Sequence, residues 1–150
     1  MTVSERLKEL GITLPESAAP AANYVPFVRD GDTLYVSGQL PKGADGLITG
    51  KLGADLDVAV GAAAARACAL ALLAQAKAAA GDLDSVRLVK LVGFVNSTPD
   101  FAEQPAVING ASDLMVEVLG DAGRHARSAV SAAALPFGVA VEVEAIFALT

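Results

Sequence analysis

Tryptophan is absent from this 150-residue chain, and cysteine and histidine occur once each, as Cys68 and His125. A single cysteine excludes an intrachain disulfide and leaves a thiolate-based metal cluster without a second ligand. A single histidine offers neither HxxxH nor HxH spacing, so a Ser-His-Asp or zinc-type site would have to be built around one imidazole, and no metal is expected. Basic runs are missing as well. With a formal net charge of −6, the field of the molecule would repel a polyphosphate, and no nucleic-acid partner is expected. Aromatic residues make up only 5%, and much of the 53% hydrophobic fraction is alanine. At ~25 cal/mol per Å² of apolar surface, small side chains gain little each from burial, so association of subunits is expected to hide more surface. The segment Met1 to Leu10 is charged and lacks an apolar signal core, which makes a cytoplasmic location the expectation.

What remains reads as one domain over residues 1–150, with a helix and an extended segment in 1–21 preceding the core. Thr2 to Leu10 has apolar residues at Val3, Leu7 and Leu10, a cap in Thr2 or Ser4 and a stop at Gly11. Val25 to Arg29 and Thr33 to Ser37 flank Asp30-Gly31-Asp32 and predict a hairpin. Gly38, directly after it, marks a place where something approaches the backbone closely. Lys42 to Asp55 reads as loop with a short strand at Leu47-Ile48. Asp57 to Ala80 is a long Ala/Leu/Val helix closed by Gly81; Arg66, Gln75 and Lys77 interrupt it, so it is expected to pack on a sheet rather than cross a membrane. Ser85 to Asn96 predicts a central strand, Gln104 to Leu119 a second helix, and Ser128 to Ala133 and Ala140 to Leu149 the last two strands. The order ββαβαββ, with two helices on one face, defines an α+β layer.

Chemistry concentrates in the last quarter. Arg127 stands among small and apolar residues, and a guanidinium there needs an anionic partner: either Glu142 or Glu144 on what reads as the neighbouring strand, or the carboxylate of a ligand. Glu142 and Glu144 share one face of the last strand, as solvated carboxylates or as an acid/base group beside a water, and nothing local separates them. Tyr24 reads as an edge aromatic, Asn109 and Ser112 as cap or surface groups, His125 as a surface or interface residue and Cys68 as a small core residue.

Three motifs taken together resemble the Rid/YjgF family, the reactive-intermediate deaminases also labelled "endoribonuclease L-PSP". They are Tyr24 with Val36-Ser37-Gly38-Gln39-Leu40-Pro41; Val95-Asn96 through Asp100-Phe101; and Ala126-Arg127-Ser128 with Leu135-Pro136 and Val141-Glu142-Val143-Glu144-Ala145-Ile146. The resemblance runs over roughly Ala22 to Leu149. It implies a chorismate-mutase-like fold assembled as a homotrimer, with small-molecule clefts between subunits, no cofactor and no chorismate mutase activity. It implies further that Arg127 binds a substrate carboxylate, with Ser128 beside it, that Glu142 helps water attack an imine carbon, and that Tyr24, Gly38 and Asn109 line the cleft. The implied reaction turns reactive 2-imino acids into 2-oxo acids and ammonia; the alternatives are a non-enzymatic trimer that binds a small carboxylate and, against the acidic charge, a ribonuclease. Ala129 stands where the deaminases carry a cysteine, and Val107 to Leu114 with Arg124-His125-Ala126-Arg127 is similar to a divergent subgroup.

Overall fold

The computed structural model describes residues 1–17 and 23–150, so the expected extended segment before Tyr24 lies partly outside the described residues. Helix α1, Val3–Glu9, is closed at its start by a reciprocal cap: Glu5 N–H donates to Thr2 Oγ1 at 3.1 Å and Thr2 N–H to Glu5 Oε2 at 2.9 Å. Strands β1, Phe27–Asp30, and β2, Thr33–Gln39, form the expected hairpin. Two-residue strands β3, Lys42–Gly43, and β4, Gly46–Leu47, make a small ribbon in the following loop. Then come α2, Val58–Ala80, β5, Val86–Asn96, α3, Gln104–Leu119, β6, Ala126–Ala132, and β7, Val141–Leu149.

The sheet runs β1-β2-β7-β5-β6, antiparallel except for the β5/β6 pair. This corrects the reading of β6 and β7 as neighbours. The crossover from β5 through α3 delivers β6 parallel to β5 on the far edge, and β7 returns to the gap between β2 and β5. The side chains make the same choice. β7 buries Val141, Val143, Ala145, Phe147 and Leu149, a complete inner face suited to a central strand, whereas β6 offers serines and alanines and stays largely exposed.

Both helices cover the face defined by those β7 residues, together with Leu34 and Val36 of β2 and Leu88, Leu91 and Val95 of β5. Helix α2 is long and apolar enough to cross a membrane by length and composition, but Ala65, Cys68, Ala69, Leu72, Leu73 and Ala76 are spent on the protein core. It lies so close to α3 that a Cβ at Gly110 would run into the backbone carbonyl of Ala62. Burial pushes the Cys68 thiol well above its ordinary range, which fits an inert core residue.

The opposite face of the sheet has no described element over it. There Val28, Tyr35 and Ile146 stand in one row, Ser128, Val92 and Glu144 in a second, and Val130, Phe94 and Glu142 in a third. Tyr35 is 47% exposed, Val28 53% and Val130 45%, on a face they share with Lys90, Ser128, Glu142 and Glu144.

One polar knot fastens the loop after β4 to the far end of the sheet. Lys51 Nζ donates to Asn96 Oδ1 at 2.6 Å and to the Ala133 carbonyl at 2.7 Å. Asn96, 5% exposed, uses its amide nitrogen to hold the Gly50 and Val139 carbonyls, so both ends of its side-chain amide have partners.

Candidate functional site

Arg127 occupies the second position of β6, on the helix-covered side. Its Nη1 donates to Ser112 Oγ at 3.1 Å and its Nη2 to the Pro105 carbonyl at 3.3 Å, both on α3. No ion pair among the described residues involves it, so the expected partners Glu142 and Glu144 are excluded within the subunit. The reason is topological: β5 lies between β6 and β7, and Arg127 and the glutamates project from opposite faces of the sheet. A guanidinium held only by neutral oxygens keeps its charge uncompensated and available to an anion.

Behind Arg127, the Ser112 hydroxyl lies 2.9 Å from His125 Nε2, and His125 Nδ1 lies 2.6 Å from the Gly123 carbonyl. A carbonyl oxygen can only accept. Nδ1 therefore carries the ring proton in the neutral imidazole, Nε2 is the acceptor, and Ser112 donates to it. Ser112, His125, Arg127, Arg124, Asn109 and Asp113 line one open cavity of about 270 Å³ between α3 and the start of β6. Asn109 and Ser112 share a helix face because they are three residues apart. Asn109 thus sits with Arg127, and no local pattern signals that Ser112 and His125 join it: they are 13 positions apart, with the end of α3 and a 3-10 turn at Gly120–Gly123 between.

Glu142 belongs to a different neighbourhood. Its Oε2 lies 2.7 Å from where a Cβ on Gly38 would be, so Gly38 is the close-approach glycine the sequence predicts, and the group that approaches is this carboxylate. The contact sits at a bulge, where the β2/β7 register slips between Val36 and Gln39. Burial, then the charge of Glu144, raises the Glu142 carboxyl above the usual carboxylate range. Glu144 is exposed, so the two glutamates, equivalent in the sequence, differ in the structure.

Tyr24 and Gly38 line a larger cleft of about 740 Å³ with Pro26, Gln39, Lys42 and Ala71 of α2. Ser128 is exposed and faces away from Arg127, in the row with Glu144 on the uncovered face. A role for Ser128 beside Arg127 is therefore not met within one subunit. The residues singled out in the sequence fall apart within the subunit: Arg127 lies with Asn109, Gly38 touches Glu142 and lines a cleft with Tyr24, and Ser128 stands on the uncovered face.

Comparison with known proteins gives these groups a context. Residues 4–148 match the model of a family described as "YjgF/chorismate mutase-like, putative endoribonuclease". The chain belongs to this YjgF-type family, and its fold is the chorismate-mutase-like α+β fold. It is 59% identical over 150 residues to Protein TCP17 of Trypanosoma cruzi, covering 98% of this chain and 94% of that one. Among solved structures, a "putative endoribonuclease" from Shewanella oneidensis is 38% identical with a TM-score of 0.93, covering 100% of both chains. Protein Atu1372 of Agrobacterium tumefaciens, "with unknown function", is 53% identical with a TM-score of 0.90, covering 99% of this chain and 94% of that one. A more distant relative, Escherichia coli TdcF "with bound serine", is 25% identical with a TM-score of 0.61, covering 90% and 94%.

Proposed function

We propose that the chain is a hydrolytic deaminase of 2-imino and enamino acids, releasing 2-oxo acids and ammonia, and that it works as a homotrimer. The observation that carries this reading is the Arg127 guanidinium, fixed by Ser112 and the Pro105 carbonyl yet free of any carboxylate among the described residues. A small carboxylate is the complementary ligand, and a family member solved with bound serine lends support, since serine carries one.

Hydrolysis needs a group that takes a proton from water as its oxygen bonds to the imine carbon, and one that returns a proton to nitrogen before the C–N bond breaks and ammonia leaves. Glu142, with its raised carboxyl, is suited to both transfers. Within a subunit it cannot reach a ligand on Arg127, so the reading requires a neighbouring subunit to bring its Glu142 to the β6 edge of the sheet, where Arg127 lies, in an assembly that also covers Val28, Tyr35 and Val130. Tyr24 and Gly38 would form further cleft wall.

The same separation favours a second reading, a trimer that binds a small 2-oxo acid without turnover, which needs Arg127 but not Glu142. Generating 2-iminopropanoate in situ and following ammonia release decides between them. The deaminase reading expects Arg127→Ala and Glu142→Ala each to lower the rate by about 100-fold or more. Wild-type release at the uncatalysed rate sinks it, and retained 2-oxo acid binding that Arg127→Ala abolishes would leave the binding reading. For RNA cleavage the acidic charge is unfavourable; activity that survived stringent purification and vanished with Arg127→Ala would revive it.

A further inference from the structure

The imine reading does not use the bond between Ser112 and His125. We propose that Ser112 and His125 form a nucleophile–base pair, and that the 270 Å³ cavity they share with Arg127 is an acyl-transfer site for small esters. The inference does not depend on imine hydrolysis.

Three geometric requirements of an activated serine are met together. The hydroxyl lies 2.9 Å from Nε2, within reach of direct proton transfer. The base is oriented from behind, because the Gly123 carbonyl 2.6 Å from Nδ1 fixes the tautomer in which Nε2 bears the lone pair. A neutral carbonyl replaces the carboxylate of the familiar triad in that orienting task. Finally, Arg127 Nη1 lies 3.1 Å from Oγ, so an oxyanion on a carbon bonded to Oγ would form next to a fixed positive charge. The guanidinium is anchored by the Pro105 carbonyl at 3.3 Å and needs no rearrangement to serve.

The chemistry closes with water alone. Ser112 Oγ bonds to the acyl carbon as its proton passes to His125 Nε2; the ester C–O bond then breaks, and the departing alkoxide takes that proton. Water adds to the acyl-serine with its proton going to Nε2, the bond between Oγ and carbon breaks, and Oγ recovers the proton. The products are a carboxylic acid and an alcohol. At about 270 Å³ the depression is smaller than the roughly 300–1,000 Å³ of pockets that enclose drug-sized ligands, so a short acyl group is the one it can surround best. Arg124, paired with Asp121 at 3.3 Å, and Asp113 offset each other at the rim, so no charge on the substrate is required.

A structural tether between α3 and β6 would show the same distances in the resting protein but would not react. A fluorophosphonate probe, followed by mass spectrometry of the peptides, separates the two. The expected result is one adduct, on Ser112, together with hydrolysis of 4-nitrophenyl acetate, and both rates lower by about 100-fold or more in His125→Gln. Absence of a Ser112 adduct on the wild-type protein overturns the proposal. So does a folded His125→Gln protein, checked by circular dichroism, that is labelled as fast as wild type.

Discussion

At the scale of single residues, the contact between Gly38 and Glu142 makes a separable prediction. In Gly38→Ala the new methyl meets the end of a flexible side chain, so the carboxylate swings away at little cost, within about 1 kcal/mol. Imine hydrolysis should nevertheless fall towards the level of Glu142→Ala, and thermal melting beside an ammonia assay checks both halves. Glu142 also makes a prediction about pH. Its folded-state carboxyl titrates above the unfolded value, so the folded protein binds the proton more tightly, and stability falls as pH rises from the ordinary glutamate range through the raised value. Glu142→Gln removes that dependence. It should melt above wild type at pH 7, with the gap narrowing as pH drops below the ordinary glutamate range; an equal gap at both pH values would contradict it. The sequence could not rank Glu142 above Glu144 without the resemblance, because alternation puts both on one face, and only the bulge at Gly38 distinguishes their surroundings.

At the scale of elements, the α2/α3 contact and the Lys51–Asn96 knot are the places where one substitution costs most. Gly110→Ala drives a methyl into the Ala62 carbonyl, backbone that cannot step aside, and should destabilise the protein by about 1–3 kcal/mol in urea unfolding. Asn96→Ala leaves the Gly50 and Val139 carbonyls and the Lys51 ammonium short of a partner, and about 2–3 kcal/mol is expected for it. The helices, the β1/β2 hairpin and the long β5 were legible because each is specified by local pattern: a cap and a glycine stop, an Asp-Gly turn, an apolar run. The order of β6 and β7 was not. Two strands joined by Ala133 to Ala140 look like a hairpin in sequence, and only the parallel crossover through α3 separates them. The Ser112–His125 pair was hidden for the same reason, since it depends on how α3 lies over β6.

At the scale of the whole molecule, the uncovered sheet face is where the proposed assembly can be tested. A charge placed in its centre, as Tyr35→Glu or Ile146→Lys, faces no other described element of the subunit, so the subunit should fold while the proposed homotrimer dissociates. Light scattering after size exclusion should then report a trimeric mass for the wild type and a monomeric one for the variant. A wild-type monomer would remove the assembly and, with it, the supply of Glu142 to a neighbour's cleft.

The position of β7 also bears on how the chain acquires its shape. It is made after the other strands of the sheet, yet it lies between β2 and β5 and forms the ladder to each. Until it is inserted, the β1/β2 hairpin and the β5/β6 pair share no backbone hydrogen bonds, and their mutual docking rests on α2 and α3. Joining them closes loops of roughly a hundred residues between Thr33–Gln39 and Val141–Leu149, an entropic cost that slows folding. Folding during synthesis should therefore stall at two half-sheets with open edges, and the native sheet should appear only once β7 has left the ribosome.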